Sequence, residues 1–267
     1  MTIWWLSYPL LGVFAGFVAG LFGVGGGLTI VPLLFMIFTA QAFPVEHSMH
    51  LALGTSMATI VFTSIASMRA HHRHGAVRWD IVKSFAPGLV IGTLSGSFIA
   101  TWVPTRPLAM VFTAIVYYAA LQMALDFKPK PHRQLPGTPG MVITGTLFGV
   151  VSSLVAAGGG FLTIPFMVFC NVVIHHAVGT SAALGFPIAV AGTVGYILSG
   201  LKTSGLPDFS LGYVYLPAFV GVVAVSFLTA PVGARLAHKL PVKQLKRAFG
   251  GFLALLASKM LHGLLTG

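Results

Sequence analysis

Apolar runs separated by short polar clusters recur along the whole chain and resolve into ten helical segments. In the first half they cover residues 7–23, 28–41, 46–70, 79–102 and 106–125. In the second half they cover 141–156, 161–173, 176–199, 210–233 and 242–265. A helix needs about 20 residues to cross a bilayer core. The third, fourth and fifth segments of each half reach that length, whereas each second segment is too short. The pattern predicts an all-α, polytopic membrane protein.

Composition agrees with the pattern. Of 267 residues, 56% are hydrophobic and 7% are charged, against roughly a quarter charged in soluble domains. Four acidic residues cannot dress a water-facing surface. No lysine or arginine precedes Arg69, so no cleavable signal peptide is read at the start. The net charge of +11 lies between apolar spans, as positive-inside loops do, and forms no stripe for nucleic acid.

The chain repeats itself. "GVFAGFVAGLFGVGGGLTIVP" (Gly12–Pro32) matches "GTLFGVVSSLVAAGGGFLTIP" (Gly145–Pro165). "HLALGTSMA" (His50–Ala58) matches "HHAVGTSAA" (His175–Ala183), and "VPTRPLAMVF" (Val103–Phe112) matches "LPVKQLKRAF" (Leu240–Phe249). Three matches in one order mark an internal duplication. They divide the chain into a first membrane repeat (1–125), a polar, proline-rich linker (126–140) and a second membrane repeat (141–267).

Loop charges orient these repeats. A cytoplasmic linker puts twelve of the fifteen lysines and arginines inside, leaving Arg106, Lys202 and Lys259 outside. The loop between segments three and four is then cytoplasmic in the first half and external in the second, which makes the repeat inverted. Inversion requires an odd number of crossings per half. Five crossings satisfy it, and so do three crossings plus a re-entrant hairpin built from segments one and two.

The glycine runs are the first candidate site. Irregular backbone is tolerated at membrane depth only where protein or a wet cavity surrounds it. A helix that starts there offers unpaired N–H groups and a partial positive charge to an anion. Gly25, Gly26 and Gly27 and their counterparts Gly158, Gly159 and Gly160 are therefore candidate substrate-binding positions. The competing reading, close helix packing through small residues, suits the flanking "GVFAG" and "GTLFG". The paired Gly-Thr-Ser triplets add Thr55, Ser56, Thr180 and Ser181 as hydroxyl ligands for an oxyanion. His50 and His175 precede the triplets and are candidates for proton coupling. Thr29 and Thr163 lie near the breaks but do not align with each other.

The acids Glu46, Asp80, Asp126 and Asp208 all fall at segment ends or in loops. A cation pathway would need carboxylates within the membrane, so an anion suits this chain better. "HHRH" (His71–His74) lacks a carboxylate or cysteine partner and reads as loop polarity. No P-loop, metal set or cofactor motif is present.

The paired Gly-Gly-Gly…Pro segments and the paired His-x-Ala-x-Gly-Thr-Ser or closely similar motifs resemble the TauE/SafE family of sulfite exporter-like transporters. The resemblance spans essentially the whole chain. It implies a multi-pass permease of the cell inner membrane that exports sulfite, an organosulfonate or a related sulfur oxyanion. The motif residues it carries over are Gly25–Gly27 with Pro32, Gly158–Gly160 with Pro165, and both Gly-Thr-Ser triplets. The second break departs from the first, with Ala156 and Ala157 in place of Gly23 and Val24. Expected partners are a small anion and the lipid bilayer, with a homodimer as an open assembly. Three other readings stay open at this stage: a passive anion channel, a carrier of a different small organic anion, and a membrane enzyme using Cys170.

Overall fold

A computed structural model describes residues 2–22, 26–125, 133–237 and 242–266. Its elements are α1 (Thr2–Phe22), α2 (Gly27–Ala40), α3 (Val45–Arg73), α4 (Trp79–Trp102), α5 (Thr105–Ala124), α6 (Thr138–Val155), α7 (Gly160–Phe169), α8 (Ile174–Gly200), β1 (Ser210–Leu211), β2 (Val214–Tyr215), α9 (Leu216–Ala237) and α10 (Val242–Thr266). Among the described residues, six stretches are long and apolar enough to cross a membrane: α3, α4, α5, α6, α8 and Lys246–Leu265 of α10. The protein is a multi-pass, all-α membrane protein.

One predicted segment is corrected. Residues 210–215 do not open a helix over 210–233. They form a two-stranded antiparallel hairpin, Ser210 opposite Tyr215 and Leu211 opposite Val214, and α9 starts at Leu216. Gly212 turns this hairpin at φ 55° while lying against the Ile197 backbone, which leaves no room for a side chain.

Segments one and two form an antiparallel hairpin in each half. The Tyr8 hydroxyl near the start of α1 donates to Gln41 Oε1, just past the end of α2, at 2.9 Å. The two limbs therefore run in opposite directions around the first glycine break. They splay around a crevice of about 610 Å³ whose lining includes Leu10, Phe14, Phe17, Leu33, Ile37 and Phe252. In the second half, Phe148 of α6 meets Phe166 of α7 edge-on at 5.5 Å, and the Arg133 N–H donates to the Phe169 carbonyl. α6 and α7 thus fold back on each other in the same way.

Each hairpin's first limb packs on the fourth helix of the opposite half: α1 on α9, and α6 on α4. Small residues make the contact. Gly12 and Gly16 of α1 lie against the backbone of Val222 and Ser226. Gly88 and Gly92 of α4 lie against Val142 and Thr146, with Gly145 and Gly149 of α6 returning the contact to Phe85 and Leu89. The constant register along each pair makes both pairs parallel. In lipid, helices gain by van der Waals approach rather than by burial from water, so glycine at these positions sets how close the axes come. The packing reading of "GVFAG" and "GTLFG" is the one observed.

The central pair, α3 and α8, is antiparallel. Gly54 meets Tyr196, Met57 meets Gly192, and Ser64 meets Gly185, so one index rises as the other falls. α5 and α10 are also antiparallel, joined near Gly250 against Ala120 and by Tyr117 Oη to Ser258 Oγ at 2.7 Å.

Candidate functional site

The two glycine breaks meet at the centre of the molecule. Gly26 caps α2 in the left-handed conformation at φ 74°, and Gly159 caps α7 at φ 78°. An L side chain is strained in that conformation, so glycine starts both half-helices. Gly27 lies so close to the Ala156 carbonyl that a Cβ there would overlap its oxygen. Ile60, midway along α3, reaches both tips: its Cδ1 is 2.9 Å from the Cβ position of Gly27, and its Cγ2 is 3.8 Å from that of Gly158. Gly185, midway along α8, is 3.7 Å from the same point on Gly158. Gly26, Gly27, Gly158, Gly159 and Gly160 are all buried. Gly25 lies outside the described residues.

The Gly-Thr-Ser triplets divide into two roles. Residues four apart share a helix face. Ser56 therefore lies on the Ile60 face of α3, and Ser181 on the Gly185 face of α8, both towards the tips. The Ser181 hydroxyl pairs with Thr163 in the first turn of α7 at 2.8 Å. Ser56 is fully buried and its hydroxyl has no partner among the described residues. The alignment explains the difference, because the position matching Thr163 is Ile30.

Glycine and threonine of each triplet instead hold a loop of the opposite half. Gly179 is bare against Ala76, whose Cβ is 2.6 Å from the glycine's Cβ position, and the Arg78 N–H donates to Thr180 Oγ1 at 3.0 Å. Gly54 is equally bare against the Tyr213 carbonyl, and the Tyr215 N–H donates to Thr55 Oγ1 at 3.0 Å. Each loop thus docks on the start of the opposite half's third helix. The Arg78 side chain points outward and bonds Asp80 (Nε to Oδ1, 2.8 Å), which raises the guanidinium further above its ordinary range. Thr180→Val and Thr55→Val each take the partner from a part-buried amide. Each is expected to cost about 0.5–1.5 kcal/mol, read as a lower Tm in detergent, with Thr→Ser keeping most of the stability.

The aligned histidines occupy unlike places. His50 is buried, its Nε2 lies 3.1 Å from both the Ala100 and Val103 carbonyls, and its ring packs on Tyr213 at 5.1 Å. His175 is exposed, and its neighbour His176 makes the loop contact, Nδ1 to the Ala76 carbonyl at 3.2 Å. Cys170 is a buried free thiol at the end of α7, held above its ordinary pKa by burial, which is the wrong state for a nucleophile.

Sequence reasoning missed Ile60, Ser152 and the Thr163–Ser181 pair. Ile60 and Gly185 were visible as an aligned pair six residues after each triplet glycine. Ser152 stands seven residues before the second break, where the first repeat has Ala19.

Known proteins of similar sequence are membrane transporters. Residues 8–260 match the family described as sulfite exporter TauE/SafE. A probable membrane transporter protein of Haemophilus influenzae is 40% identical over 253 residues, covering 94% of this chain and 96% of the relative. The probable membrane transporter protein YdhB of Bacillus subtilis is 28% identical over 246 residues, 90% of this chain and 91% of its own. A probable membrane transporter protein of Methanocaldococcus jannaschii is 24% identical over 262 residues, 96% of both chains. No solved structure matches the chain. Family and relatives alike are transporters rather than enzymes. With a family match that runs almost from end to end, the chain belongs to the TauE/SafE family of membrane transporters.

Proposed function

We propose that the protein is a secondary carrier of a small sulfur oxyanion, sulfite or an organosulfonate, which it exports across the cell inner membrane by alternating access. One observation carries this reading: two glycine-capped half-helices start at the same place, level with the middle of α3 and α8. Their N-termini point unpaired amides and the positive ends of two helix dipoles into one buried region. The backbone of Gly26, Gly27 and Gly158–Gly160 lines this region, the anion's donors come from it, and Ser56 and Ser181 lie on the faces that border it.

The exchange of hairpins and loops between halves supports an inverted repeat, and the basic loops favour residues 126–140 in the cytoplasm. In this reading the two docked loops are the mouths of the pathway. Gly54–Thr55 holds one shut and Gly179–Thr180 holds the other. His50, packed on Tyr213 of the first mouth, is the group we assign to couple a proton to its opening.

Flux into proteoliposomes tests the proposal. Sulfite and methanesulfonate are expected to move, and external unlabelled substrate is expected to drive counterflow of labelled substrate. Flux without counterflow would make the protein a channel. Movement of neither anion would remove the substrate assignment.

A further inference from the structure

The two hairpin tips share one turn geometry but differ in the groups set around it. Leu162 and Thr163 donate back to the Gly159 carbonyl at 3.0 and 2.9 Å, which closes the first turn of α7. The N–H groups of Gly160 and Phe161 precede that turn and take no acceptor among the described residues. Ser152, in the last turn of α6, is fully buried, and its hydroxyl also has no partner among the described residues. It faces the same turn, with Oγ 3.9 Å from the Cβ position of Gly159. Three unsatisfied donors thus gather around the buried α7 tip. A dry hydroxyl left unpaired is costly, and a bound oxygen would relieve it.

The α2 tip closes its first turn in the same way, with Thr29 and Ile30 donating to the Gly26 carbonyl at 3.0 and 2.9 Å, but differs in what lies against it. Its first residue, Gly27, is covered by the Ala156 carbonyl, whose oxygen repels an anion. Ala156 is held there in the left-handed conformation at φ 44°, uncommon for a residue with a side chain. The positions that match Ser152 and Thr163 are Ala19 and Ile30.

We infer that the α7 tip, and not the α2 tip, binds the oxyanion, and that it takes a singly charged one. Gly160 and Phe161 N–H groups and the Ser152 hydroxyl donate to its oxygens. This rests on the anion-carrier reading above. The charge selection follows from what surrounds the tip. No lysine or arginine is among the buried residues described. Desolvation cost rises with the square of the charge, so a dianion costs about four times as much as a monoanion to bury. Neutral donors and one helix dipole do not compensate that. Ile60 and Ile188 supply apolar carbon beside Gly158 and Gly159, which suits a small alkyl group better than a second charge. Hydrogensulfite and alkylsulfonates fit; doubly charged sulfite and sulfate do not.

The full chain in proteoliposomes decides the matter, with methanesulfonate, sulfite and sulfate as probes. Methanesulfonate flux is expected to vary little as pH rises through the range where hydrogensulfite loses its proton, while sulfite flux falls with the hydrogensulfite fraction and sulfate stays at background. Ser152→Ala is expected to raise the methanesulfonate concentration for half-maximal flux about ten-fold. Thr93→Val, at a buried hydroxyl in the α4–α6 contact, should leave it unchanged and so controls for packing. Sulfite flux that grows as the dianion forms, or Ser152→Ala with wild-type affinity, would overturn the inference and leave the carrier reading intact. A folded protein, monodisperse by size exclusion, that moves none of the three anions would overturn both.

Discussion

Gly27→Ala is expected to abolish transport while Gly251→Ala leaves it unchanged. Both substitutions add one methyl group to a helix. At Gly251 nothing lies within 4 Å of the new Cβ, and alanine is the better helix former. At Gly27 the methyl would overlap the Ala156 carbonyl oxygen and press on Ile60 at 2.9 Å. The carbonyl belongs to the backbone of the α6–α7 turn and cannot rotate away. The two hairpin tips must therefore separate, which removes the geometry that brings their N-termini together. Overpacking of this kind costs about 1–3 kcal/mol, so the protein is expected to stay folded with a lowered Tm and no flux. Measuring flux and Tm on the same preparation separates lost function from lost fold. Wild-type flux in Gly27→Ala would show that the meeting of the tips is not needed.

Cross-linking the second mouth should also stop transport, reversibly. In a Cys170→Ala background, Ala76→Cys with Gly179→Cys places two thiols where the loop docks on α8. The present Cβ separation of 2.6 Å is shorter than the ~3.8 Å a disulfide prefers, and the Ala76 carbonyl oxygen lies 2.7 Å from the Gly179 Cβ position, so the loop shifts outward to take the pair and the reduced variant is the reference for flux. Oxidation is expected to reduce flux to the background of empty vesicles, and dithiothreitol to restore it. The reasoning is that alternating access requires this loop to leave α8 in each cycle. Undiminished flux with the disulfide formed, confirmed by mass, would show that the mouth does not open there.

Much of the fold was legible because the bilayer constrains the alphabet. Ten apolar segments, the short second segment of each half and the duplicated glycine breaks all appear as composition and spacing, since a lipid-facing helix has few other ways to be written. The exception, residues 210–215, reads as part of an apolar helix because Tyr213, Val214 and Tyr215 are as hydrophobic as a membrane span. Gly212 decides otherwise by turning the chain where it meets Ile197. Periodicity does not register a contact of that kind.

The Gly-Thr-Ser triplets show the same division at closer range. Their duplication marked them out, and hydroxyls near a glycine break looked like one ligand set. Helix geometry separates the neighbours: Thr55 and Ser56 point about 100° apart, one to a loop and the other towards a tip. His50 and His175 align residue for residue, yet one is buried against α4 and the other is exposed. Alignment records descent, whereas burial depends on what the rest of the chain packs against each copy.

The amino-acid sequence by itself determined that this chain lives in a membrane, is built twice over, breaks its second helices at glycine and keeps its carboxylates to segment ends and loops. These are local properties, set by transfer energies and backbone freedom at each position. Only the tertiary structure decided that the first segments fold back as hairpins, that their tips meet beside Ile60 and Gly185, and that the two copies are unequal there. Those facts depend on which surfaces come together across more than a hundred residues of chain. A carbonyl lying on Gly27 and an unpaired hydroxyl facing Gly159 are properties of such a meeting, and neither residue carries them alone.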